Sequence, residues 1–218
     1  MDYEFFEGSE LNKNSEMLDD GVLLEHYVSP ERDVTESTET NELFGTPNID
    51  SAVWVKAENN CSDSLLCEQY VSELLTGSDL SEQELCAIAG EGGYYHSEYG
   101  STLDETGKYL ESLDLEVIRE NSLTVKDICE SLENGEKVIC AVSSIALFYP
   151  EICAMPGLSA DCTVQVIGVD MTEPDKETVI VNNPSAEHSA VEIPLKIFMQ
   201  SWQKSGCYAV LASVKGNG

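Results

Sequence analysis

The order in which two hydrophobic periodicities appear along the chain constrains its fold more than any other feature. Helical spacing comes first. In residues 64–75 (SLLCEQYVSELL), Leu65, Leu66, Gln69, Val71, Leu74 and Leu75 fall on a helical repeat. Ser81 followed by Glu84 has the spacing of a capping box and opens a second helix that continues through 85–89. Helices are also expected over 102–113 and 125–133, the latter closed by Asn134-Gly135, with a short strand over 115–119 between them. From Lys137 onward the texture turns to strands: 137–142 (KVICAV), 162–169 (CTVQVIGV), 178–181, 190–193 and 205–211. One helix interrupts them over 194–202, with Pro194 at its first position. Helices first and strands afterwards predict an α+β domain, not an alternating parallel sheet.

That domain is expected over residues 44–213. Residues 1–43 read as an acidic, partly disordered tail: 13 acids stand against Lys13 and Arg32, and only 21–28 (GVLLEHYV) could bury apolar surface. Residues 214–218 form a short C-terminal tail. The whole chain has 41 acidic and 11 basic residues, a formal charge of −30; with −11 in the tail, −19 remains for the rest. A surface of this sign repels phosphate backbones and anionic lipid, so nucleic acid is excluded as a partner and a basic peptide or protein is favoured.

There is no run of about 18 apolar residues, so no membrane insertion is expected. The start, MDYEFFEGSE, lacks the basic and apolar regions of a secretory signal, which predicts a cytoplasmic protein. Eight cysteines occur without a CxxC pair or Cys/His spacing, and several sit in apolar runs; they read as reduced thiols, without a zinc site. Asp161, Asp170, Asp175 and Glu187 lack the spacing of a calcium loop. Neither a metal nor another cofactor is expected.

Several local spellings, in order, resemble the papain-like cysteine peptidases of the bacteriocin-leader-processing type, the peptidase C thirty-nine-like domains. Phe44-Gly45-Thr46-Pro47 followed by Trp54 is similar to the family's lead-in, and TGSDLSEQEL to its G-x-D-x-S-E-x-E-L. Residues 160–170 (ADCTVQVIGVD) resemble its G-H-A-V-Q-V-I-G-I-D, and VIVNNPS its I-I-N-D-P-G. The terminal VEIPLKIFMQSWQKSGCYAV is similar to the family's last helix and strand. The resemblance implies a papain-like fold with an N-terminal helical part packed on a C-terminal antiparallel β-sheet.

The resemblance also implies a site, and there the residues depart from it. Such an enzyme needs a thiolate, an imidazole base, a group that orients the imidazole, and an oxyanion donor. The nucleophile position falls on Asp63 and the base position on Cys162. The orienting position falls on Asn183, and the oxyanion position on Ala57, or on Asn59 if the loop is shifted. No catalytic set is intact. Of the three histidines, His26 lies in the tail and His96 in the Gly/Tyr-rich loop; only His188 stands near the Asn183 turn. A rearranged pair, Cys61–His188 or Cys162–His188, is the alternative reading. Trp54, Tyr94 and Tyr95 are candidate substrate-binding aromatics beside the cleft, and Tyr99 joins the two tyrosines in a candidate recognition surface, although loop packing accounts for the tyrosines as well. The expected function is a catalytically inactive peptidase homologue that binds a peptide or protein; the alternative is an active thiol peptidase with a displaced site.

Overall fold

The computed structural model describes residues 42–216 apart from Asn60 and Ala154. The acidic tail expected over 1–43, with its apolar patch 21–28 and His26, lies almost wholly outside the described residues, as does the end of the short C-terminal tail.

In chain order the elements are β1 (Leu43–Gly45), α1 (Pro47–Asp50), α2 (Asp63–Thr76), α3 (Glu82–Glu91), α4 (Lys108–Ser112), β2 (Glu116–Glu120), α5 (Val125–Glu133) and β3 (Lys137–Val142). There follow α6 (Ser144–Phe148), β4 (Cys162–Asp170), β5 (Thr178–Asn182), β6 (Val191–Pro194), α7 (Leu195–Trp202) and β7 (Ala209–Ser213). The strands form one antiparallel sheet in the order β2-β7-β3-β4-β5-β6. β4 pairs with β3 through its first half and with β1 through its second.

Period-two alternation decides which helices cover which face. On β3, Val138, Cys140 and Val142 join a core with Ile128 of α5 and Phe198 and Trp202 of α7. Ile139 and Ala141 point the other way, into a core with Leu65 and Val71 of α2, Leu85 of α3 and Leu110 of α4. The result is the expected α+β arrangement, with helices on both faces of the sheet. None of the described helices is long and apolar enough to cross a membrane.

The helix ends follow local chemistry. Ser81–Glu84 forms the capping box read from the sequence, and Thr124–Asp127 forms another. Gly77, in the left-handed region at φ +76°, closes α2. Gly45 has φ +85°, and a Cβ there would stand 2.4 Å from the Ile167 carbonyl oxygen. Only glycine lets β1 lie this close to β4, at the register shift between Val166 and Gly168.

Four expectations change. The helix over 102–113 is confined to Lys108–Ser112, because left-handed Gly107 (φ +91°) breaks the repeat after the turns at 102–106. Pro194 ends β6 with extended ψ, so α7 begins one residue later. Left-handed Gly206 and Cys207 reverse the chain after α7, which moves the last strand from 205–211 to Ala209–Ser213. The order is also less segregated than helices-then-strands, since β2 and β3 precede half the sheet and β7 inserts between them. The short α6, capped by Ser143, had no counterpart in the sequence reading.

Candidate functional site

The N-terminus of α2 is built by a loop that a single carboxylate ties down. Glu82 of α3 accepts from the backbone N–H groups of Glu58 (2.8 Å) and Asn59 (3.0 Å) and from the Ser62 hydroxyl. Asn59 accepts from the Cys61 N–H through Oδ1 and donates through Nδ2 to the Tyr95 hydroxyl. Gly100 lies against this loop so closely that a Cβ would stand 2.5 Å from the Cys61 carbonyl oxygen. Asp63, the first residue of α2, emerges from the fixed loop half-buried.

A helix N-terminus favours a carboxylate, yet burial outweighs it here. Desolvation raises the Asp63 pKa to about 6; the Ser185 hydroxyl, donating at 3.1 Å to Oδ1, pulls it down, and the Asp161 and Glu82 carboxylates push it further up. Cys162 opens β4, with its thiol 3.7 Å from the Val142 carbonyl oxygen. Burial first, then Asp161 and Asp63, hold that thiol far above the usual range, so it stays protonated.

Asp63 and Cys162 line one cavity of about 420 Å³, with Cys61, Asp161, Thr163 and Tyr99 among the other residues of its wall. Asn183 reaches the cavity indirectly. Its side-chain oxygen accepts from the Ser185 N–H (2.9 Å), and Ser185 in turn donates to Asp63. Trp54 Nε1 donates to the Asn183 carbonyl oxygen (2.8 Å), and Ala57 N–H to that of Pro184 (2.9 Å). These bonds zip the 54–57 and 183–185 segments together, so Ala57 and Trp54 brace the loop beside the cavity; neither is part of its lining.

The remaining candidates separate. Tyr95 is buried in the α2–α4 core and Tyr94 packs against it, so these rings are committed to packing; the tyrosine that lines the cavity is Tyr99. His188 is exposed, with Nδ1 2.8 Å from the Ser189 carbonyl oxygen, and is not among the cavity residues. The Cys61 thiol is 3.7 Å from the Glu98 carbonyl oxygen. His96 stacks on Tyr99 and meets Glu105 at 3.3 Å, outside the cavity lining. Among the described residues no three His, Cys, Asp or Glu side chains are grouped to hold a metal.

Two solved structures have a similar arrangement. The chain is similar to a C39-like peptidase from Bacillus anthracis, with a TM-score of 0.56 and 11% identity, covering 81% of this chain and 100% of that one. It is also similar to the peptidase domain of ComA, a bifunctional ABC transporter of a Streptococcus quorum-sensing pathway; the TM-score is 0.52 and the identity 12%, covering 74% and 98%. This chain has the papain-like peptidase fold. No family model and no curated protein matches it by sequence.

Within that fold the chemistry on offer is limited. The cavity presents a carboxylate that takes up a proton near pH 6 and a neutral thiol, with no imidazole in its lining. Nucleophilic attack by Cys162 would need a base to take up its proton, and the proton-accepting side chains of the lining are the carboxylates of Asp63 and Asp161, not an imidazole. Sequence reasoning missed Ser185 and Glu82. Both act through bonds to residues distant along the chain, and no local pattern marks such partners.

Proposed function

We propose that this chain is a catalytically inactive papain-like peptidase homologue that binds a peptide or protein. One observation carries the reading: the cavity presents Asp63 and Cys162 where the family resemblance calls for the thiolate and the imidazole. Replacing both together removes nucleophile and base while leaving a concave surface able to hold a ligand. The segment between β3 and β4 adds apolar surface. Ser144, the first residue of α6, donates through N–H and Oγ to Asp161 at the cavity wall, and beyond it Phe148 (62%), Tyr149 (57%) and Met155 (54%) are exposed. Exposed aromatic and thioether side chains suit peptide recognition.

The test is a pooled peptide library incubated with the full chain, with hydrolysis followed by mass spectrometry and retention by affinity capture. Peptides retained but uncut support the reading. Cleavage, or stoichiometric labelling of one cysteine by a peptide chloromethyl ketone, would refute it.

A second reading, an active thiol peptidase using Cys61 or Cys162 with His188, rests on the presence of both thiols in the cavity wall. The outward His188 ring, engaged with the Ser189 carbonyl oxygen, weighs against it. Replacing Cys61, Cys162 and His188 by Ala one at a time decides the matter: hydrolysis that disappears with one thiol and with the imidazole establishes this reading, and background-level hydrolysis throughout removes it.

A further inference from the structure

The cavity at the start of α2 is electrostatically unbalanced. Asp63 is taken substantially out of water, and the groups acting on it from the surrounding elements are acidic or neutral. Asp161 faces it from the residue before β4, Glu82 from α3 and Cys162 from the start of β4. Cys67 and Tyr70 face it from α2 itself, and Ser185 from the turn after β5. The basic residue nearest in sequence, Lys56, is already paired with Glu187 at 2.6 Å. A second observation is independent of the charges. Thr163 lines the same cavity, is only 7% exposed, and its Oγ1 has no hydrogen-bond partner among the described residues. A buried hydroxyl with nothing to bond to is costly, and a ligand that brings a donor relieves it.

We infer that this cavity is a subsite for a cationic group, an ammonium or guanidinium, with Asp63 and Asp161 as counter-charges and Thr163 Oγ1 as a neutral acceptor. The inference rests on the binding-module reading above and sharpens it: the favoured peptide carries a lysine, arginine or free amine that enters here. An ammonium has three donors and no acceptor, which matches two carboxylates and a hydroxyl oxygen. An anion would meet unopposed like charge. Because burial holds Asp63 protonated until about pH 6, a cation has to displace that proton. Binding therefore strengthens as the pH rises through this value.

n-Butylammonium chloride tests the subsite without any peptide backbone, with sodium butyrate and n-butanol as controls. Each is titrated into the full chain labelled with ¹⁵N, and the amide signals of Asp63, Asp161 and Thr163 are followed. The expected result is saturable shifts with butylammonium alone, about tenfold weaker at about pH 5 than at about pH 7.5. Asp63→Asn weakens the binding several-fold and removes its pH dependence, and Asp161→Asn weakens it while keeping that dependence. Equal shifts with butanol, no shift with butylammonium, or unchanged affinity in both variants would overturn the inference. Peptides retained without any preference for lysine over norleucine leave the cleft reading standing and the subsite refuted. Butylammonium bound with no peptide retained gives the reverse.

Discussion

Replacing Glu68 by Gln should change how the stability of this protein depends on pH. Glu68 lies on α2 with no exposed surface, and its Oε2 accepts from the Tyr109 N–H at 3.0 Å. The other oxygen, Oε1, has no partner among the described residues. Burial is the largest influence and raises the pKa from 4.5 to about 7, against the opposing pull of the Gly107, Leu110 and Tyr109 amides and of Arg119. Below the unfolded value of 4.5, both the folded and the unfolded chain carry the proton. As the pH rises from there towards 7, the unfolded chain releases it first, and stability falls until the folded group ionises as well. A shift of this size corresponds to about 3 kcal/mol lost between about pH 4.5 and pH 7.

Glutamine cannot ionise, so it removes that loss. It also weakens the bond to the Tyr109 amide by about 1 kcal/mol at every pH. The variant should therefore be less stable than the parent by about 1 kcal/mol near pH 4, and more stable by about 2 kcal/mol near pH 8. Urea denaturation followed by tryptophan fluorescence at both pH values measures the difference, and comparing variant with parent cancels the repulsion among the many other carboxylates. A difference that stays constant to within about 0.5 kcal/mol across this range would show that Glu68 is not held protonated by its surroundings.

Three further outcomes are expected. Asp63→Asn raises the midpoint of thermal unfolding near pH 8, where the parent holds a desolvated carboxylate, and leaves it nearly unchanged near pH 3, below the unfolded value of 3.8, as differential scanning calorimetry would show; an equal change at both values argues against a strained charge. Gly45→Ala costs at least about 2 kcal/mol in urea denaturation, because a side chain at φ +85° meets the Ile167 carbonyl oxygen; a neutral effect would mean that β1 does not lie on β4 as described. The double variant Asp63→Cys/Cys162→His puts a thiol and an imidazole at the two cavity positions, and iodoacetamide should label position 63 at least about tenfold faster than in Asp63→Cys alone. Equal rates would show that the two positions do not face each other.

Periodicity and capping chemistry were readable because they are local. The α2 repeat, the Ser81–Glu84 box and the runs KVICAV and CTVQVIGV appear in the structure to within a residue or two. Left-handed positions escaped: Gly107, Gly206 and Cys207 each ended or delayed an element, and their backbone conformation depends on what packs around them. Gly107 takes φ +91° where a side chain would meet Val117, Val210 and Arg119, all distant in sequence or on other strands.

The chain's own spelling thus determined the α+β class, the sequence span of the helical and strand-rich parts, and the placing of Asp63 and Cys162 at positions where the resemblance expects a thiol and an imidazole. What surrounds them was decided by tertiary structure. Ser185 reaches Asp63 across 122 positions of sequence, and Glu82 ties the loop before α2 from another helix. The raised pKa of Asp63, the unpartnered Thr163 hydroxyl and the commitment of Tyr95 to packing exist only once β4, α2 and the loop after β5 are brought together. Desolvation and hydrogen bonding depend on which atoms are excluded from water and which remain within reach, and spacing along a chain does not carry that information.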